Sequence, residues 1–103
     1  MHHLYVTSKK IRYALCFIED KKGRFLLQLR DNKPKILFPN HWGLFGGMLK
    51  EGETYKEGLA REIKEEINLD VDKNSLLFLF DNFFLNREGK IFYLKIDNID
   101  LDK

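Results

Sequence analysis

Glu62, Glu65 and Glu66 recur at helical spacing, and at about 100° per residue their carboxylates fall on one face of a helix. Like charges three and four positions apart repel by about 0.2–0.5 kcal/mol per pair, so such a face wants a compensating cation. Ionised carboxylates only accept hydrogen bonds. The cation that suits several of them at once is a hard divalent ion with oxygen ligands, Mg2+ or Mn2+. The plainer alternative is a solvated acidic face neutralised by Lys56, Arg61 and Lys64. Helical spacing alone leaves both open.

The elements that must carry this face are readable from pattern. Thr54 followed by Glu57 is a capping box, Leu59, Ile63 and Ile67 recur every four residues, and Asn68 is suited to a left-handed stop. One helix is therefore predicted between Thr54 and Asn68. Upstream, residues 11–18 form a continuous apolar strand buried on both faces, and residues 24–30 form a second, making a hairpin across the turn at 19–23. Residues 31–41 contain both prolines and read as a loop; residues 42–49 are short, apolar and glycine-rich. Runs at 76–85 and 91–96 flank a predicted turn at 86–90, a second hairpin. One helix with about five strands makes the class α+β, with a mixed or antiparallel sheet.

Spacing around the helix adds a longer pattern. From Gly47, five residues lead to Glu53, seven more to Arg61-Glu62, and Ile63, Lys64, Glu65, Glu66, Ile67, Asn68 and Leu69 follow. This run resembles the Nudix box, G-x5-E-x7-R-E-U-x-E-E-x-G-U with U aliphatic, departing from it only at Asn68, where the family has glycine. Asn is the best substitute where φ is positive. The preceding residues 42–47 (WGLFGG) resemble the family's W-x-x-P-G-G lead-in, with Phe45 in place of proline, and residues 26–30 (LLQLR) resemble its upstream strand.

The resemblance implies a Nudix-type α/β/α sandwich with a mixed sheet. It also implies hydrolysis of a nucleoside diphosphate linked to another group, by attack of water on phosphorus, with Mg2+ or Mn2+ as cofactor. A nucleoside triphosphate or a nucleotide sugar is the expected substrate range. Carried over by position, Glu65, Glu66 and the Gly47 carbonyl are metal ligands, and Glu62 is a ligand or the base for the attacking water. Arg61 orients the acidic cluster, and Glu53 supports Arg61 or reaches a second metal. Arg30, at a strand end, is a candidate phosphate contact or a solvated residue. Trp42 is a candidate to stack on a base or to pack in the core, the core being favoured. A different class, a non-catalytic nucleotide-binding or regulatory Nudix module, is weighed against the enzyme; the full set of box carboxylates favours catalysis.

Composition sets the outer bounds. The 103 residues make one domain, 1–103, with 33% charged and 44% hydrophobic residues, a globular balance. A formal charge of +2 does not argue for nucleic acid, and no apolar run approaches a membrane span. Cys16 stands alone, so no internal disulfide is expected and the cytoplasm is the default compartment. The pattern also stops short of the final strand and helix of the sandwich. The chain is therefore expected to be truncated relative to the family, with one sheet face left apolar. A homodimer would cover such a face.

Overall fold

The computed structural model describes residues 10–29, 42–84 and 86–97. In chain order the elements are β1 (Ile11–Glu19), β2 (Phe25–Leu26), β3 (Gln28–Leu29), β4 (Trp42–Gly43), β5 (Phe45–Met48), α1 (Tyr55–Ile67), a 3-10 turn (Lys73–Ser75), β6 (Leu77–Phe84) and β7 (Arg87–Lys95). β1 is the centre of a mixed five-stranded sheet, antiparallel to β2 and β5 and parallel to β7, with β6 antiparallel to β7 beyond it. β3 and β4 form a separate two-stranded ribbon.

α1 covers one face of this sheet. Ala14, Cys16 and Ile18, on alternate positions of β1, share a core with Leu59 and Ile63 from the helix and Phe45, Leu76, Phe92 and Leu94 around them. Burial pushes the Cys16 thiol up to about 12, so it behaves as a small apolar core residue. The helix runs as its caps predict. Thr54 accepts from the Glu57 N–H while Glu57 accepts from the Thr54 N–H, and Asn68 closes the other end in the left-handed region at φ 54° and ψ 33°.

Two sequence expectations are corrected here. Residues 24–30 are not one strand. Leu26 pairs with Ile18, but Gln28 pairs with Gly43, because β5 already occupies the next stretch of the β1 edge from Cys16↔Phe45 to Tyr13↔Met48. The chain therefore changes partner at Leu27. Residues 86–90 are likewise not a five-residue turn, since β7 begins at Arg87. Gly89 is a strand residue over which the Tyr13 ring lies: a Cβ there would sit 2.0 Å from Tyr13 Cζ. Glu88, within that predicted turn, lies in β7 and pairs with Lys10 at 2.8 Å.

Candidate active site

The helix and the glycine-rich strand meet edge to edge, and the acidic residues line that seam. Glu62 is half-buried against Gly47, where a Cβ would lie 2.9 Å from the carboxyl carbon and 3.0 Å from either oxygen. Any side chain at 47 would displace that carboxylate. Gly46, one residue earlier, takes φ 129°, and a Cβ there would meet the Ala14 carbonyl oxygen at 2.0 Å. The two glycines thus let β5 pass close to β1 on one side and to Glu62 on the other.

Arg61 sits in the centre of the cluster. Its Nε donates to Glu53 Oε2 at 2.7 Å and its Nη2 to Glu53 Oε1 at 3.0 Å, a bidentate pair. Nη1 donates to Glu62 Oε1 at 3.1 Å and to Glu65 at 3.3 Å, and Nη2 also reaches the Met48 carbonyl at 3.2 Å. Glu53 further accepts from the Lys50 N–H at 2.6 Å. The Arg61 guanidinium, then the Lys50 amide, holds the Glu53 carboxyl down at about 2. The same pairing, with Glu53 first, raises Arg61 above the usual guanidinium range. Repulsion along the helix face is thus relieved internally by Arg61. Lys64 pairs with Asp70 at 3.1 Å.

Glu66 closes the other end of the seam. Its Oε1 accepts from the Gly46 N–H at 2.9 Å and its Oε2 from Gln28 Nε2 at 2.8 Å. Gln28 is a site residue that reasoning from the sequence missed. Its only sequence signal was membership of the LLQLR run, because the break at Leu27 that directs it here depends on strand pairing.

The structure brings Gly47, Glu53, Arg61, Glu62, Glu65 and Glu66 into one neighbourhood. Arg30 and His41 lie outside the described residues. Trp42 does not pack in the core; it sits on β4 opposite Leu29 with 68% of its surface exposed. Among the described residues no three acidic or histidine side chains already converge as a metal cluster, since Arg61 draws Glu53, Glu62 and Glu65 toward itself. In donor chemistry the residues fit a hard divalent ion: oxygen donors from one helix face, beside a glycine cradle that a Cβ would fill.

Comparison with known proteins agrees with this geometry. The NUDIX domain family model matches residues 9–98. A Nudix hydrolase of Deinococcus radiodurans is 34% identical over 65 residues, covering 62% of this chain and 37% of that protein. The nucleoside triphosphatase NudI of Enterobacter sp. is 39% identical over 56 residues, covering 54% of this chain and 39% of the relative. Among solved structures, the MutT protein of Methanosarcina mazei superposes with a TM-score of 0.69 at 27% identity, over 87% of this chain and 66% of that one. The chain thus spans about two-fifths of the curated relatives it matches.

Proposed function

The chain belongs to the NUDIX domain family, and from that premise we propose that it carries the active site of a divalent-metal-dependent pyrophosphohydrolase. Its substrate is a nucleoside diphosphate linked to a further group. A nucleoside triphosphate is favoured by the likeness to the Enterobacter nucleoside triphosphatase, with a nucleotide sugar as the neighbouring choice. The observation that carries this reading is the close approach of the Gly47 backbone to the Glu62 carboxylate, which a Cβ at 47 would meet at 2.9 Å, with Arg61 gathering Glu53, Glu62 and Glu65 beside it.

Glu62, Glu65, Glu66 and the Gly47 carbonyl would hold Mg2+ or Mn2+. When bound, the ion supplies the positive charge that the diphosphate oxygens need as phosphorus is attacked. The protein's own part is positional. Glu53 clamps Arg61 through two parallel hydrogen bonds, and Arg61 in turn fixes where Glu62 and Glu65 stand. Water attacks phosphorus, the anhydride bond breaks, and Glu62 is the carboxylate placed either to complete the ligand set or to accept the water's proton. Trp42, exposed on β4, is offered for stacking on a base, and Arg30 for a phosphate.

A panel of nucleoside triphosphates and nucleotide sugars, incubated with Mg2+ or Mn2+ and analysed by product mass, tests the reading. Hydrolysis to a nucleoside monophosphate is expected, and Glu62→Gln should remove most of the turnover. Nucleotide binding without hydrolysis of any member would instead make the domain a non-catalytic module.

A further inference from the structure

The start of β1 and the loop after β5 enclose a cavity of about 440 Å³ that no carboxylate of the acidic seam lines. That volume falls within the range of small-molecule sites, about 300–1,000 Å³. Met48 and Leu49 give it apolar surface, while Lys10, Arg12 and Lys50 bring three cations against the single carboxylate of Glu51. Neighbouring acids neutralise only part of this charge. Glu88 pairs with Lys10 at 2.8 Å, and Asp81 pairs with Lys90, the next cation along, at 2.6 Å. Among the described residues, neither the Arg12 guanidinium nor the Lys50 ammonium has an ion pair or a hydrogen bond. Lys50 commits only its backbone N–H, to Glu53.

Arg12 is the better held of the two cations. It is half-buried, and its guanidinium carbon stands 5.4 Å from the centroid of the Tyr55 ring. The Lys90 ammonium stands 5.2 Å from the same centroid. A ring attracts a cation without using the N–H donors at the guanidinium edge, so that fork stays available. Two cations sharing one ring also repel each other, which an anion at the Arg12 edge would offset. The fork matches the oxygens of a phosphate group bidentately. A tetrahedral phosphate so engaged keeps a third oxygen for Lys50, which a planar carboxylate lacks.

The cavity shares its wall with the acidic seam. The Leu49 N–H donates to the Arg12 carbonyl at 2.9 Å, and the Met48 carbonyl accepts from Arg61 Nη2 at 3.2 Å. The wall is thus the segment leading from the glycine strand to Glu53. We propose that this cavity is a phosphate-binding subsite, with Arg12 as the bidentate contact and Lys50 as the second cation. The phosphate belongs either to the nucleotide being hydrolysed, beyond the anhydride under attack, or to a separate ligand. No seam carboxylate takes part, so the subsite works without metal and stands apart from the metal-dependent reading above.

The test is calorimetric titration of inorganic pyrophosphate into the chain in excess EDTA, where the bare acidic seam repels the probe. One saturable site is expected. Arg12→Gln and Lys50→Gln, each first checked for folding by circular dichroism, should weaken binding at least about tenfold, the equivalent of one charge-assisted hydrogen bond. Lys95→Gln removes a charge at the far end of the β1–β7 pair and should bind within about twofold of the wild type. No saturable site in the wild type, or wild-type affinity in either cavity variant, would overturn the proposal. Equal weakening in all three variants would overturn it too, by marking diffuse charge attraction. Should Arg12→Gln not fold, Lys50→Gln decides, because Lys50 is exposed. On a nucleotide hydrolysed with Mg2+, Arg12→Gln then separates the two sources. A raised KM with kcat unmoved assigns the subsite to the substrate's own phosphate; an unmoved KM beside lost pyrophosphate binding assigns it to a separate ligand.

Discussion

Glu53 illustrates how one residue can tie stability to the site. It is the N-terminal box carboxylate, yet its contacts are to Arg61 and to the Lys50 amide. Its carboxyl is held at about 2 against an ordinary value of 4.5, chiefly by the Arg61 hydrogen bonds. A depressed folded-state value means the folded chain binds the proton less readily than the unfolded chain. The stabilisation is therefore complete above about pH 4.5 and is lost as pH falls toward about 2. Thermal melting across that window should show the wild type losing stability more steeply than Glu53→Gln. Parallel curves would mean that the pair contributes nothing to the acid transition. Arg61 should also lose its orientation in the variant, since Glu53 supplies two of its hydrogen bonds.

At the scale of elements, β1, β6 and β7 are locked by one crossing contact. The Tyr13 ring lies over Gly89 of β7 and reaches β6, where its hydroxyl donates to the Asn82 carbonyl and accepts from Asn82 Nδ2, both at 2.8 Å. Glycine in a strand weakens it in isolation, but here it makes room for an aromatic side chain that spans the strand. Gly89→Ala should destabilise the chain by about 1–3 kcal/mol, the range for overpacking, because the added methyl meets the ring itself. Chemical denaturation would measure it. A change below about 0.5 kcal/mol, the level of an ordinary surface substitution, would mean that the ring moves aside freely.

For the molecule as a whole, the unbalanced feature is β6. It is the last strand of the sheet order, and Leu77, Phe78, Leu79, Phe80 and Phe83 are all exposed along it. Among the described residues no strand pairs with its outer edge. Long apolar edges without lysine or proline are templates for association, and patches of this kind are seldom left bare. The chain should therefore self-associate with rising concentration in sedimentation velocity, and Phe83→Glu should reduce that association without lowering the melting temperature. Equal sedimentation of the two chains would remove β6 as the cause. No helix among the described residues is long and apolar enough to cross a membrane.

What the amino-acid sequence determined by itself was local in origin. The Thr54–Glu57 capping box, the Leu59–Ile63–Ile67 stripe and the Asn68 stop specify α1 through contacts within a turn or two of the chain. The spacing from Gly47 through Glu66 likewise placed Glu62, Glu65 and Glu66 on the helix that follows the glycine strand, with Glu53 just ahead of it. Tertiary structure decided whatever depends on which strand lies beside which. Pairing of β5 with β1 splits residues 24–30 at Leu27 and sends Gln28 to Glu66; pairing of β7 with β1 and β6 makes Gly89, an apparent turn residue, a strand residue. Trp42, apolar by type, is exposed because β4 belongs to the small ribbon and not to the main sheet. Strand partners are distant in sequence, and their choice is set by competition for sheet edges, which no local pattern encodes.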